Sequence, residues 1–227
     1  MKKFLLLLVI LILPSAFYVF LTAGKEKSFV RLPYYGPKKT LNISEKGKIR
    51  KDTAFYHVPF FSFTDQHNNK LSSSSLVDKV WVASFTYLTD KKIAPSMAVL
   101  MNRVEERTNL DTALRMLTFA LDSSNTSITS SYATMVHAGR RQLFLSGNSQ
   151  EIKNLAVEGF YNPVDSSYSN GFVYFFLVDK EGCIRGIYNA LKVKEVDYMI
   201  DDISMMEAAY YIQAQKKNKD KDASDPM

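Results

Sequence analysis

The sequence predicts an α/β domain, and three observations carry the prediction. First, residues 79–106, KVWVASFTYLTDKKIAPSMAVLMNRVEE, open as an apolar run rich in β-branched and aromatic residues and then change period. Such a run suits a central strand covered on both faces. Its second half puts Met97, Leu100, Met101 and Val104 on one helical stripe. Second, strand-like and helix-like stretches alternate downstream of it. Third, the last strands form a hairpin that hands over to a helix. Strand–helix alternation closed by a hairpin and a helix is a thioredoxin-like arrangement.

Taken in order, the elements are as follows. Residues 1–24 begin with a short basic stretch, and residues 4–23 are then free of charge and almost wholly apolar. At about 1.5 Å per residue that run spans roughly 30 Å, the hydrocarbon thickness of a bilayer. It exceeds the usual signal-peptide core, so it reads as an uncleaved signal-anchor that exports the rest of the chain. Lysines and arginines flank both of its sides, so they do not set its orientation. Residues 25–52 read as a linker, because LPYYGP disfavours a helix and the lysine-rich stretch after it shows no period. Residues 53–64 read as one or two short strands broken at Pro59, followed by turn chemistry in DQHNNK, together a hairpin on the larger sheet.

The central strand covers residues 80–87, and Pro95 opens the helix after it, where a missing N–H costs nothing. Residues 113–121, ALRMLTFAL, read as a second strand, residues 129–136 as a helix and residues 142–145 as a short strand. A further helix turns Ile152, Leu155 and Ala156 inward, with Glu151 in its first turn. Residues 172–178, FVYFFLV, form the most apolar strand, and DKEG returns the chain antiparallel. The closing helix carries Val196, Ile200, Ile203 and Met206, and the domain runs over 53–214. The charged tail, 215–227, reads as disordered.

Composition is that of a globular protein, with 46% hydrophobic residues and a net charge of +6. Much of the lysine excess lies near the two ends, not on one element interleaved with aromatics, so a nucleic-acid partner is not indicated. There is one cysteine, Cys183, so no internal disulfide can form. The chain has no CxxC, HExxH, Walker-type loop or GxGxxG. The turn between the central strand and its helix is where α/β proteins often place a reactive thiol, since free N–H groups favour a thiolate there. This turn holds none.

Several stretches, in order, resemble the Sco/SenC family of membrane-anchored, thioredoxin-fold copper chaperones for cytochrome oxidase. VPFFSFTDQHNNKLSSSSLVDKVWVASFTY is similar to the family's entry hairpin and first core strand, and TDKKIAPSM stands where the family has CPxxCPxM. LTFALDSSNTS, LFLSG and FVYFFLVDKEG are similar to its SVDPxxDTP, FLTG and D-x-x-G segments. The resemblance implies copper held by two cysteines and a histidine. In this sequence those positions are Asp90, Ala94 and Gly171, and the residue before Gly171 is Asn170 where the family has aspartate. Soft thiolates are what hold Cu(I), so the family's copper and dithiol chemistry is not expected here.

We therefore expect no cofactor, no catalytic residue and no metal ligand at the family positions. The expected partners are the membrane, through residues 1–24, and respiratory oxidase subunits or an intact Sco-type protein. The expected location of the domain is extracytoplasmic. Two other readings stay open. One is a redox enzyme using Cys183, where Arg185 on the same strand face is an argument for a lowered thiol pKa. The other is a repurposed extracytoplasmic binding module. His57, His67 and His137 share no local metal motif and read as surface or capping residues.

Overall fold

The computed structural model describes residues 32–45, 48–108, 114–163 and 171–224. The apolar stretch at 1–24 lies outside them, as does Asn170. Among the described residues, no helix is long and apolar enough to cross a membrane.

Two small antiparallel hairpins precede the main sheet. The first joins β1 (Lys39–Glu45) to β2 (Lys48–Ala54), and the second joins β3 (Ser62–Thr64) to β4 (Lys70–Ser72). The first hairpin corrects the expectation of a plain linker over 25–52. Alternation of Leu41 and Ile43 with polar neighbours is a strand signal, but the surrounding lysines dilute it. The second hairpin is the expected one. Asp65 shapes its turn by accepting the N–H groups of His67 and Asn69, both at 2.8 Å.

The main sheet has five strands. β5 (Trp81–Thr86) is its centre, with β6 (Arg115–Ala120) and then β7 (Gln142–Leu145) parallel to it on one side. On the other side β8 (Tyr174–Val178) runs antiparallel to β5, and β9 (Ile184–Asn189) pairs antiparallel with β8 at the edge. Four helices complete the domain: α1 (Ile93–Arg107), α2 (Thr126–Met135), α3 (Ser149–Asn154), which continues as a π-turn over Leu155–Gly159, and α4 (Val193–Ser224).

Every residue of β5 is buried, as a strand covered on both faces requires. Its alternate side chains divide between two cores. Val80 and Val82 pack with Met97, Met101 and Val104 of α1 and with Val196, Ile200 and Ile203 of α4. Trp81, Ala83 and Phe85 face Phe61, Phe119, Ile152, Phe160 and Phe176. The second core is built on aromatic rings. Phe85 stacks on Phe119 at 4.8 Å and meets Phe160 edge-on at 5.1 Å. Burying each such ring is worth about 1.5–3 kcal/mol, which is why this layer fixes the sheet.

The charged tail is not disordered over its described part, because α4 runs on to Ser224. Once Val196, Met199, Ile200 and Ile203 anchor the helix, a run of Gln, Ala and Lys extends it at low cost, since these are strong helix formers.

Candidate functional site

Asp90 and Ala94, the positions expected to match the family's cysteines, lie at the turn from β5 into α1, and Gly171, expected at the histidine position, lies just before β8. β5 pairs β8 antiparallel as far as Ser84 opposite Phe175. Carrying that register onward sets Phe172 opposite Tyr87 and Gly171 opposite Leu88. The Phe172 and Tyr87 rings do meet edge-on, at 6.2 Å. Gly171 is buried with φ of 65°, a left-handed conformation in which its lack of a Cβ removes the strain. Asp90 and Ala94 lie just beyond, at the turn into α1.

This turn is held by two carboxylates. Asp90 Oδ1 accepts the N–H groups of Lys92 at 2.9 Å and Ile93 at 2.8 Å, so it caps the start of α1. Asp122, at the end of β6, accepts the N–H groups of Leu88 and Thr89, both at 2.9 Å, and the Thr89 hydroxyl at 2.6 Å. Ala94 is 1% exposed and packs with Leu88, Ala120, Tyr132 and Phe144. At the three matched positions the donor set is thus one carboxylate engaged with backbone, one methyl and one bare backbone. Cu(I) takes soft sulfur or imidazole donors, and none of the three supplies one. The pinning role of Asp122 has no local sequence signal, since it acts on residues more than 30 positions away.

A second cluster surrounds Cys183, at the turn between β8 and β9. Cys183 is 1% exposed. Among the described residues, Asp179, Glu181 and Cys183 bring their ligating atoms within 4.8 Å of one another. The Asp179 oxygens are already engaged. Oδ1 accepts Glu181 N–H at 3.0 Å and Cys183 N–H at 2.8 Å, and Oδ2 pairs with Arg185 at 2.9 Å. His57 Nδ1 lies 2.7 Å from the Glu181 carbonyl and 3.7 Å from Cys183 Sγ, a proximity that sequence reasoning missed. His67 sits in the β3–β4 turn and His137, with φ of 51°, ends α2.

The Cys183 thiol is pushed up to about 11, first by burial and then by the Asp179 and Glu181 charges. This corrects the expectation of a lowered value. Arg185 opposes the rise, but its guanidinium is paired with Asp179 and does not reverse it. At neutral pH the thiolate fraction is therefore on the order of one in ten thousand, far too small for a nucleophile. We expect iodoacetamide to alkylate Cys183 in the native chain at least about a hundredfold more slowly than in urea; equal rates would contradict the burial. The sign for stability follows: the neutral thiol is the favoured form, so its contribution is full below pH 9.0 and is lost as pH rises toward about 11.

Comparison with known proteins agrees with this fold. The family model described as SCO1/SenC matches residues 50–208. The chain is similar to the SCO1 protein homolog of Bacillus subtilis (strain 168), at 27% identity over 168 residues, 69% of this chain and 86% of the relative. Among solved structures, a SCO1/SenC family lipoprotein from Bacillus anthracis str. Ames matches with a TM-score of 0.58 at 20% identity, over 67% of this chain and 95% of that one. BsSco, described as having a disulfide switch and as a member of the Sco family of cytochrome c oxidase assembly proteins, matches with a TM-score of 0.58 at 25% identity, over 66% of this chain and 93% of that one.

Proposed function

The chain belongs to the SCO1/SenC family, and from that premise we propose that it is a membrane-anchored accessory or docking factor in respiratory oxidase assembly or copper handling. In this reading the chain does not itself hold copper at the family position. One observation carries the reading: the family scaffold is intact around β5 and α1, while Asp90, Ala94 and Gly171 present no soft donor. Asp90 is engaged as a helix cap, and freeing it for a metal would uncap α1. A domain that keeps its fold and lacks its ligands can still bind partners by shape. The naming of BsSco as an oxidase assembly protein supports oxidase subunits, or an intact Sco-type protein, as those partners.

The anchor rests on the uncharged apolar run at residues 4–23. The lipoprotein relative supports an extracytoplasmic domain held at a membrane. Neither a cofactor nor a nucleic-acid partner enters this reading. The buried, protonated Cys183 weighs against a thiol enzyme.

The test is a titration of the full chain in detergent micelles with Cu(I) and Cu(II). We expect no stoichiometric tight binding of either ion. Tight one-to-one binding by the native chain would overturn the proposal, as would failure of the full chain to co-purify with oxidase subunits or with a Sco-type protein carrying the ligands.

A further inference from the structure

An open groove of about 670 Å³ runs between the segment that enters β3 and the helix α3 with its π-turn. Residues 59–63 form one wall, and Glu151, Asn154, Leu155, Glu158 and Gly159 form the other. Glu151, Asn154, Leu155 and Glu158 stand at i, i+3, i+4 and i+7, so a single helical face lines the groove. Phe61, Phe63 and Leu155 are buried in the aromatic core and give the groove an apolar base. Phe60, beside them on the wall, is 73% exposed. Aromatic side chains in such positions are enriched where a partner covers the surface. The charged residues of the groove are both acids, on a chain whose net charge is +6. Among the described residues, neither Glu151 nor Glu158 takes part in an ion pair.

The helical wall is held in place before any partner arrives. Single π-turns inside α-helices occur frequently at functional sites. The Tyr56 hydroxyl ties this one down by donating to the Gly159 carbonyl at 3.0 Å, and the Tyr56 ring meets Tyr161 edge-on at 5.0 Å. Tyr161, just after the turn, holds φ of 49°, a region that bulky residues rarely adopt. Backbone strain kept in place by surrounding contacts gathers at binding sites. At Gly159 a Cβ would lie 2.9 Å from Leu155 Cδ1 and 3.2 Å from Pro59 Cδ, so its absence lets the two walls approach.

We propose that this groove docks an extended segment of a partner protein in which an aliphatic residue is flanked, two positions away on each side, by lysine or arginine. Glu151 and Glu158 stand two turns apart, about 10 Å along the helix. In an extended chain residues i, i+2 and i+4 face the same way, and the outer two are about 13 Å apart. Two long basic side chains close that difference and pair with the two carboxylates. The aliphatic side chain between them covers the apolar base beside Phe60. Acids at the rim disfavour a nucleic acid or an anionic lipid surface as the occupant. The inference rests on the reading of the chain as a docking factor, and adds the face used and the chemistry of the segment it takes.

The probe is a capped heptapeptide, serine–lysine–threonine–leucine–threonine–lysine–serine, titrated into the isotope-labelled full chain in detergent micelles. The amide signals of Phe60, Ser62, Asn154, Leu155 and Gly159 should shift, and a peptide with glutamate for both lysines should leave them unmoved. Glu151→Gln combined with Glu158→Gln should weaken the lysine peptide about threefold to tenfold, the range for two exposed ion pairs. Phe60→Ala should weaken it at least about threefold. All three side chains are exposed, so neither variant should change the melting temperature. Silence at those amides, equal binding of the glutamate peptide, or unaltered affinity in both variants would overturn the proposal. Concentration-dependent shifts of the same amides without peptide would also overturn it, by placing a second copy of this chain in the groove. Co-purification separates this inference from the docking role. If the native chain and the variant with all three substitutions retain an oxidase or Sco-type partner equally, the groove is overturned and the role stands. If the groove binds the lysine peptide while the native chain retains no such partner, the role falls and the groove stands.

Discussion

The triple variant Asp90→Cys, Ala94→Cys, Gly171→His is expected to bind Cu(I) tightly and one-to-one, where the native chain does not. The three positions correspond to the family's two cysteines and histidine, so two thiolates and one imidazole are expected to face one another in the variant. The costs to the apoprotein can be set against the gain. Losing the Asp90 cap costs about 1 kcal/mol. A side chain at φ of 65° costs about 1–2 kcal/mol, and histidine is among the residues better tolerated in that region. A sulfur added at the buried Ala94 position costs about 1–3 kcal/mol. Thiolate–imidazole sites of structural zinc are worth on the order of 10 kcal/mol or more, so metal binding outweighs the sum. The variant should therefore melt below the native chain without copper and well above it with copper. Competition with a Cu(I) chelator measures the affinity, and thermal unfolding with and without metal measures the coupling. A triple variant that folds and still gives up copper to a weak chelator would show that this turn no longer has the family geometry.

Much of the fold was legible because it is written as local period. The run at residues 80–87 and the stripe of Met97, Leu100, Met101 and Val104 became β5 and α1, with all four stripe residues buried. Val196, Ile200, Ile203 and Met206 likewise anchor α4. The β1–β2 hairpin escaped notice because lysines interrupt its alternation, and the tail because charge was read as disorder although its residues favour helix. The site was legible only in part. The loss of soft donors at positions 90, 94 and 171 can be read from residue types alone. What holds the turn cannot, since Asp122 reaches Leu88 and Thr89 across two strands. His57 and Cys183, 126 residues apart, meet only once the sheet is assembled. Such contacts have no sequence period; topology creates them.

Asp179→Ala is expected to destabilise the domain by about 3–5 kcal/mol, the range for removing one partner of a buried ion pair. Asp179 is 1% exposed, and its carboxylate organises the whole β8–β9 turn. Oδ1 takes the N–H groups of Glu181 and Cys183, and Oδ2 holds Arg185. That turn in turn receives four distant groups on its carbonyls. Asp78 N–H bonds to Lys180 at 3.1 Å, Val58 N–H to Gly182 at 2.9 Å and Tyr35 N–H to Ile184 at 2.9 Å. His57 bonds to Glu181 at 2.7 Å. Arg185 extends the same network, reaching the Leu32 carbonyl at 2.7 Å and the Pro33 carbonyl at 3.1 Å, with Tyr34 stacked beneath its guanidinium at 3.9 Å. Removing the carboxylate strands the buried Cys183 N–H, the part-buried Glu181 N–H and a largely buried guanidinium at once, and it loosens the segment that leads into the domain. Asp179→Asn keeps the Oδ1 acceptor but sets an amide NH2 against Arg185 where Oδ2 accepted, so it loses the charge and that bond while keeping the turn's N–H groups paired, and it should cost less than alanine, about 1.5–3 kcal/mol. Urea unfolding of the full chain ranks the two variants, and hydrogen exchange at Tyr35 and Val58 reports whether the loss propagates. A cost below about 1 kcal/mol for the alanine variant, with unchanged exchange at those two amides, would mean that backbone geometry alone holds the turn.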